Sequence, residues 1–273
     1  RIRIRQEIAN RAGERLKSGI EEDGANAAEE LVDNGAVLRS LAEMEARGLK
    51  EARLVEAPWS DDYWAVYAGG LGARYADPNL PDSRDWQELK SYVDSHPVRA
   101  VLERGIPAEL RILSPSEKYS LWIGDERDQM TSRMWAEGKS YYDHGGIVET
   151  WMGICHGWAP AAFMENRPLR KVVVPSADGK VQLEFFPADV KVLASLIWAK
   201  AHSEARFIGR RCEEQEPERG ADGRVVNPEC ADINAGAWHL SVVSQLGVAR
   251  RSLVIDATYD YEVWNQPLYS YSY

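Results

Sequence analysis

Phenylalanine is scarce in this chain: four residues, against ten tryptophans and twelve tyrosines among 273. The aromatic mass therefore sits in rings that pack like hydrophobes but keep a polar tip, which suits a core rim or the wall of an extended groove. Long apolar runs are missing. The best, VLASLIWA over residues 192–199, falls far short of the ~18 residues a membrane-spanning helix needs. Basic excess is missing too. Lysine and arginine number 33 against 43 acidic residues, a net charge of −10, which argues against nucleic acid and anionic membranes as partners because phosphates want a basic face. Internal repeats and low-complexity tracts are absent. Cysteine is down to three residues, and an odd count leaves at least one thiol outside any internal bridge.

Those cysteines are Cys155, Cys212 and Cys230. The last two flank EEQEPERGADGRVVNPE, a polar stretch with glycine and proline and no helical or strand period. Such a loop buries too little apolar surface to order itself. A bridge between Cys212 and Cys230 would add roughly 3 kcal/mol. It would also place the chain in an oxidising compartment, which reads as secreted, and leave Cys155 as the odd thiol. The sequence begins at Arg1 rather than methionine, a start compatible either with a mature form whose leader is removed or with a trimmed chain.

The remaining composition, 44% hydrophobic and 28% charged, is that of an ordinary globular chain able to bury a sizeable core. Residues 1–56 read as a helical N-terminal segment rich in alanine and glutamate. Residues 57–273 read as one α+β domain. Within it, SRDWQELKSYVDSH has helical period, and LSPSEKYSLWIGD predicts a helix with Pro115 in its first turn and Gly124 at its end. Two β-rich runs around Ala177-Asp178-Gly179 predict a hairpin. A helix starting near Pro187 follows. AWHLSVVSQLG and RRSLVIDATYDYEVW then read as two strands.

A chemical reading follows from pairing those two runs. With Gly247 and Val248 as a two-residue turn, His239 lies directly across from Asp256, on one face. A three-residue turn would put them on opposite faces. Cys155 supplies a nucleophile. A thiol attacks carbonyls as thiolate, a form favoured by a helix N-terminus or an imidazolium. Whether the helix begins at Cys155 or nearer Pro160, which interrupts a helical hydrogen-bond ladder, stays open at this level. His156, His144 and His202 are rival bases ranked below His239. The order Cys, His, Asp is that of papain-like cysteine enzymes.

ICHGWAPAAF around Cys155, LSPSEKYSLWIGD, PWSDDYW, ARFIGRRC and VWNQP at Val263–Pro267 resemble the oomycete transglutaminase elicitor family and its bacterial relatives. The similarity runs in blocks from about residue 58 to the last residues. It implies a secreted protein-glutamine γ-glutamyltransferase with a papain-like, cysteine-protease-like core, Cys155 as nucleophile, a response to calcium, and protein substrates with accessible glutamine and lysine. In plant-pathogen members of that family a surface peptide starting VWNQP is what plant immune receptors detect, with Trp264 and Pro267 as its key residues. Here VWNQP runs into LYSYSY, without the basic and glycine residues expected there.

The expected reaction is acyl transfer, with Cys155 attacking a glutamine carboxamide, His239 moving protons and Asp256 aligning the imidazole. The oxyanion needs donors. The Cys155 backbone N–H and the Trp151 indole are the candidates, because Glu149, where papain-like enzymes keep a glutamine, cannot donate when ionised. Trp158, Trp238 and Trp264 are candidates for a wall that excludes water. A papain-like cysteine peptidase with the same residues, or a non-enzymatic secreted interaction protein with Cys155 merely buried, are the alternatives. No loop of spaced oxygen ligands fixes a calcium site.

Overall fold

The structure, a computed structural model, describes residues 26–33, 36–201, 206–230, 233–258 and 260–273. The helical reading of residues 1–25, and His202, lie outside the described residues. The described residues up to Val55, those of Ser203–Leu253, and Leu268–Tyr273 group in one compact unit, while those of Glu56–His202 and Val254–Pro267 group in the other. The division is therefore discontinuous, whereas a composition shift marks only the first crossing near residue 56.

The first unit opens with two short helices, α1 (Ala28–Leu31) and α2 (Leu41–Ala46). Ser40 caps α2 by accepting the Glu43 N–H, as a hydroxyl at this position does. Strand β1 (Glu51–Arg53) follows inside the stretch read as helical. Its alternation is too short to register as a period in sequence.

The second unit carries helices α3 (Trp86–Ser95), α4 (Val98–Arg104), α5 (Pro107–Arg111), α6 (Pro115–Ile123) and α7 (Gln129–Gly145). α6 is built as its sequence demands. Pro115 is its first residue, Ser114 and Glu117 form a reciprocal capping box, and Gly124 ends it at φ 75°, a left-handed conformation that favours glycine. Two charged residues of α6, Glu117 and Lys118, are buried. Buried charge is tolerated only when paired and hydrogen-bonded. Arg74 makes a fork to Glu117 at 2.7–3.2 Å, and Lys118 Nζ lies 2.8 Å from Asp189. Burial nevertheless pulls the Lys118 ammonium below the usual lysine range.

Next come α8 (Cys155–Met164), strands β2 (Val172–Pro175) and β3 (Gln182–Phe185), and α9 (Pro187–Lys200). The β2–β3 hairpin and the proline start of α9 match the sequence signals. α8 packs on α9 at close range, because a Cβ on Gly157 would stand 2.1 Å from the Ser195 carbonyl oxygen. Only glycine fits there.

Helix α10 (Ala235–Val242) returns to the first unit and runs into a π-helical turn, Val243–Val248. AWHLSVVSQLG is thus helical where the sequence reads as strand. A continuous apolar run does not distinguish a buried helix from a buried strand, and residues 241–247 are buried without a break. Asn234 decides the matter locally. Its side chain accepts the Ala237 N–H at 2.8 Å as an N-cap.

Strands β4 (Val254–Asp256) and β5 (Asn265–Pro267) belong to the second unit, and β6 (Ser270–Ser272) to the first. The described residues hold three two-stranded antiparallel ribbons, β1–β6, β2–β3 and β4–β5. The mixed class of helices and antiparallel strands stands, carried by short ribbons.

Candidate active site

Tyr63 sets the start of α8. Its carbonyl accepts the Ile154 N–H at 2.8 Å, and its hydroxyl donates to the Thr150 carbonyl at 2.7 Å. A Cβ on Gly153 would meet the Tyr63 carbonyl oxygen at 2.3 Å, so the approach needs a bare backbone. Burial drives the Tyr63 phenol well above the usual tyrosine range, helped by Tyr67. Ile154 is the N-cap residue and Cys155 the first helical residue, with Pro160 inside the helix. Pro160 has no N–H to offer the carbonyl one turn back. The close packing of α8 on α9 supports the helix through that gap. The choice left open by the sequence is settled in favour of a helix that begins at Cys155.

Cys155 is a free thiol and 5% exposed. Its Sγ donates to the Val263 carbonyl at 3.4 Å and accepts the Asn265 side-chain amide, also at 3.4 Å. Both partners lie in VWNQP. The backbone N–H of Cys155 belongs to the first turn of α8, where N–H groups have no intrahelical acceptor.

The loop that delivers Asn265 is held by Asp256. Asp256 sits across from Asn265 in the β4–β5 ribbon. Its Oδ1 accepts the Trp264 N–H at 3.0 Å and the Thr258 N–H at 3.3 Å. The Thr258 hydroxyl lies 2.9 Å from that oxygen and 2.8 Å from the Glu262 carbonyl.

The predicted pairing of His239 with Asp256 is not formed. His239 is helical, on α10, and belongs to the other unit. Its ring meets Tyr273 edge to face at 4.5 Å, and its buried Nε2 has no hydrogen-bond partner among the described residues. The register that would have opposed His239 to Asp256 required two strands, and only β4 exists. Of the rival histidines, His156 is exposed beside the buried Cys155, and His144 turns a ring nitrogen to the Ser140 carbonyl at 2.6 Å.

The tryptophans separate. Trp151 is buried and donates its indole N–H to the Glu149 carboxylate, with Tyr261 against its ring at 5.8 Å. The donor suggested for an oxyanion is thus engaged with an anion already. Trp158 donates to the Trp59 carbonyl at 3.1 Å and packs with Trp59, Ala161, Ala162 and Trp198 as core. Trp238 is on α10 in the other unit. Trp264 donates its indole N–H to Glu262 at 2.8 Å and stacks obliquely on Tyr63 at 5.1 Å, which ties the VWNQP loop to the residue that starts α8.

Cys212 and Cys230 are bridged, as the loop between them implied. Among the described residues no group of three or more His, Cys, Asp or Glu side chains could hold a metal ion, so no calcium site is assigned. No helix among the described residues is long and apolar enough to cross a membrane. Asn265 and Tyr63 escaped the sequence reading. The signal for Asn265 was in hand, a side-chain amide inside the block that also supplied Trp264 and Pro267.

The profile of the family described as transglutaminase elicitor matches residues 36–273. No curated protein matches the chain. Among solved structures, the GP42 transglutaminase from Phytophthora sojae is similar in fold, with a TM-score of 0.54 at 18% identity over 93% of this chain. The chain spans 62% of the length of that structure.

Proposed function

The chain belongs to the transglutaminase elicitor family, and on that premise we propose that it is a cysteine acyltransferase that joins protein glutamine to lysine. The observation that carries the reading is the Cys155 thiol at the first position of α8 with the Asn265 amide on its sulfur. A helix N-terminus favours a thiolate. An uncharged N–H donor beside the sulfur is of the type that stabilises a developing oxyanion.

In this reading Cys155 sulfur attacks the γ-carboxamide carbon of a glutamine, and the C–N bond breaks. The thiol proton ends on the departing ammonia, leaving a thioester. A lysine amine then attacks the same carbon. The C–S bond breaks, an isopeptide bond forms, and the sulfur regains a proton. The Cys155 N–H and Asn265 Nδ2 are the assigned donors to the carbonyl oxygen during both additions. Asp256 acts through Trp264 and the β4–β5 ribbon, holding Asn265 in register. The Cys212–Cys230 bridge supports an oxidising, extracellular site of action.

The test is incorporation of a fluorescent amine into a glutamine-bearing protein by purified wild type and Cys155→Ala. Incorporation by the wild type alone is expected. Cleavage of the protein with no amine incorporated would overturn the transferase reading in favour of a cysteine peptidase.

A further inference from the structure

A cleft of about 340 Å³ opens in the unit that holds Cys155. Two of its walls are the chain segments that lead into the Cys155–Asn265 contact. Residues 147–151 run on to Cys155, and Tyr261 and Glu262 run on to Val263 and Asn265. The lining is aromatic, with Trp86 against Tyr142 at 5.3 Å and Trp151 against Tyr261 at 5.8 Å.

It is also acidic. Glu149 and Glu262 each accept an indole N–H, from Trp151 and Trp264, which fixes their orientation. An ionised carboxylate offers about four acceptor positions, so the indole bond to Glu262, and the bonds of Trp151 and Tyr261 to Glu149, leave room for a further donor. Arg84 and Asp85 line the cleft as well. Their charges offset, and Asp85 is occupied with capping α3 through the Glu88 N–H at 2.8 Å. The remaining charge is that of the two glutamates. Aromatic faces beside carboxylates favour a cation, and a cleft of this size takes an aliphatic stem along its rings.

We infer that this cleft holds the amine donor, a primary ammonium on an aliphatic stem such as a lysine side chain of the acceptor protein. The inference rests on the acyl-transfer reading above and adds where the second substrate enters. The glutamates recognise the ammonium. At the thioester one of its protons goes to solvent, the amine forms the new C–N bond as the C–S bond breaks, and a second proton ends on sulfur.

The experiment compares two amines with one glutamine peptide: cadaverine, which is cationic, and hydroxylamine, which is neutral at neutral pH. Glu149→Gln and Glu262→Gln should each raise the KM for cadaverine about tenfold, the size of one lost charge contact. The KM for hydroxylamine should stay within about twofold, and this also reports that each variant is folded. Equal rises for both amines, or no rise for cadaverine, would overturn the inference. A readout independent of turnover is saturation-transfer NMR of cadaverine with Cys155→Ala. The signal is expected there and is expected to vanish in the triple variant that adds both glutamine substitutions. A signal that persists in the triple variant removes the cleft as the amine site. A wild type that incorporates neither amine removes the acyl-transfer reading, while the saturation-transfer comparison still decides whether the cleft binds the cation.

Discussion

The Asn265 side-chain amide donates to Cys155 Sγ at 3.4 Å, joining residues 110 apart in the chain. One begins a helix and the other begins a strand. Loss of a single oxyanion donor costs about 10²–10³ in rate. Asn265→Ala should therefore lower kcat/KM for ammonia release from a glutamine peptide about 100-fold. Asn265→Asp, which replaces the donor by an anion, should lose at least as much. Melting temperatures of both variants should stay near wild type, because Asn265 is only partly buried. An Asn265→Ala enzyme of nearly full activity would remove this residue from the site.

Asp256 is a positioning residue in this account. Its Oδ1 accepts the Trp264 and Thr258 N–H groups, a role an asparagine oxygen also fills. Asp256→Ala should reduce kcat about tenfold with KM little changed, since a small misplacement of a catalytic group carries a cost of this order or more. Asp256→Asn should restore most of the loss. If Asp256→Asn is as impaired as Asp256→Ala, the charge matters rather than the hydrogen bonds, and the positioning role is wrong.

Much of the scaffold is legible in sequence because its signals are local. Pro115 and Gly124 bracket α6, Ala177-Asp178-Gly179 turns the β2–β3 hairpin, and the polar loop between Cys212 and Cys230 leaves Cys155 as the odd thiol. The partners proposed for Cys155 are not local. Val242 and Val243 favour strands by their branching, yet burial on all sides lets them form a helix and a π turn. Once His239 becomes helical, the register argument that tied it to Asp256 has nothing to act on. Asp256 keeps a cross-strand partner, but it is Asn265, reached by a loop whose course depends on side chains hydrogen-bonding their own backbone.

The pH dependence of stability offers a separate check. Burial raises Asp61 from 3.8 to about 6, against the hydrogen bond it accepts from the Trp64 indole. A folded-state value above the unfolded one means the native state holds the proton more tightly. The stabilising contribution is complete below the unfolded value and is lost as pH rises through about 6. Asp61→Asn keeps a neutral acceptor for Trp64 at every pH. Its melting temperature should be close to wild type near pH 4 and higher than wild type near pH 8. A difference independent of pH would show that Asp61 does not titrate in this range.

The Cys212–Cys230 bridge closes a polar loop in which an isolated antiparallel bridge, Arg219 to Val225, supplies the regular pairing. Replacing both cysteines by serine should cost about 3 kcal/mol for a loop of this length, seen as a lower denaturation midpoint. Thiol titration of the unfolded, unreduced protein should find one cysteine, Cys155. Two or more reactive thiols would contradict the pairing.

The central claim is covalent chemistry at Cys155, and a trapped intermediate tests it most directly. Wild-type protein is mixed with a glutamine peptide in the absence of any amine, quenched in acid, weighed intact and then digested. The account predicts a mass gain equal to the peptide less one ammonia, carried by the segment containing Cys155 and missing from Cys155→Ala. Ammonia release that persists in Cys155→Ala, or an adduct carried by a different residue, would contradict it.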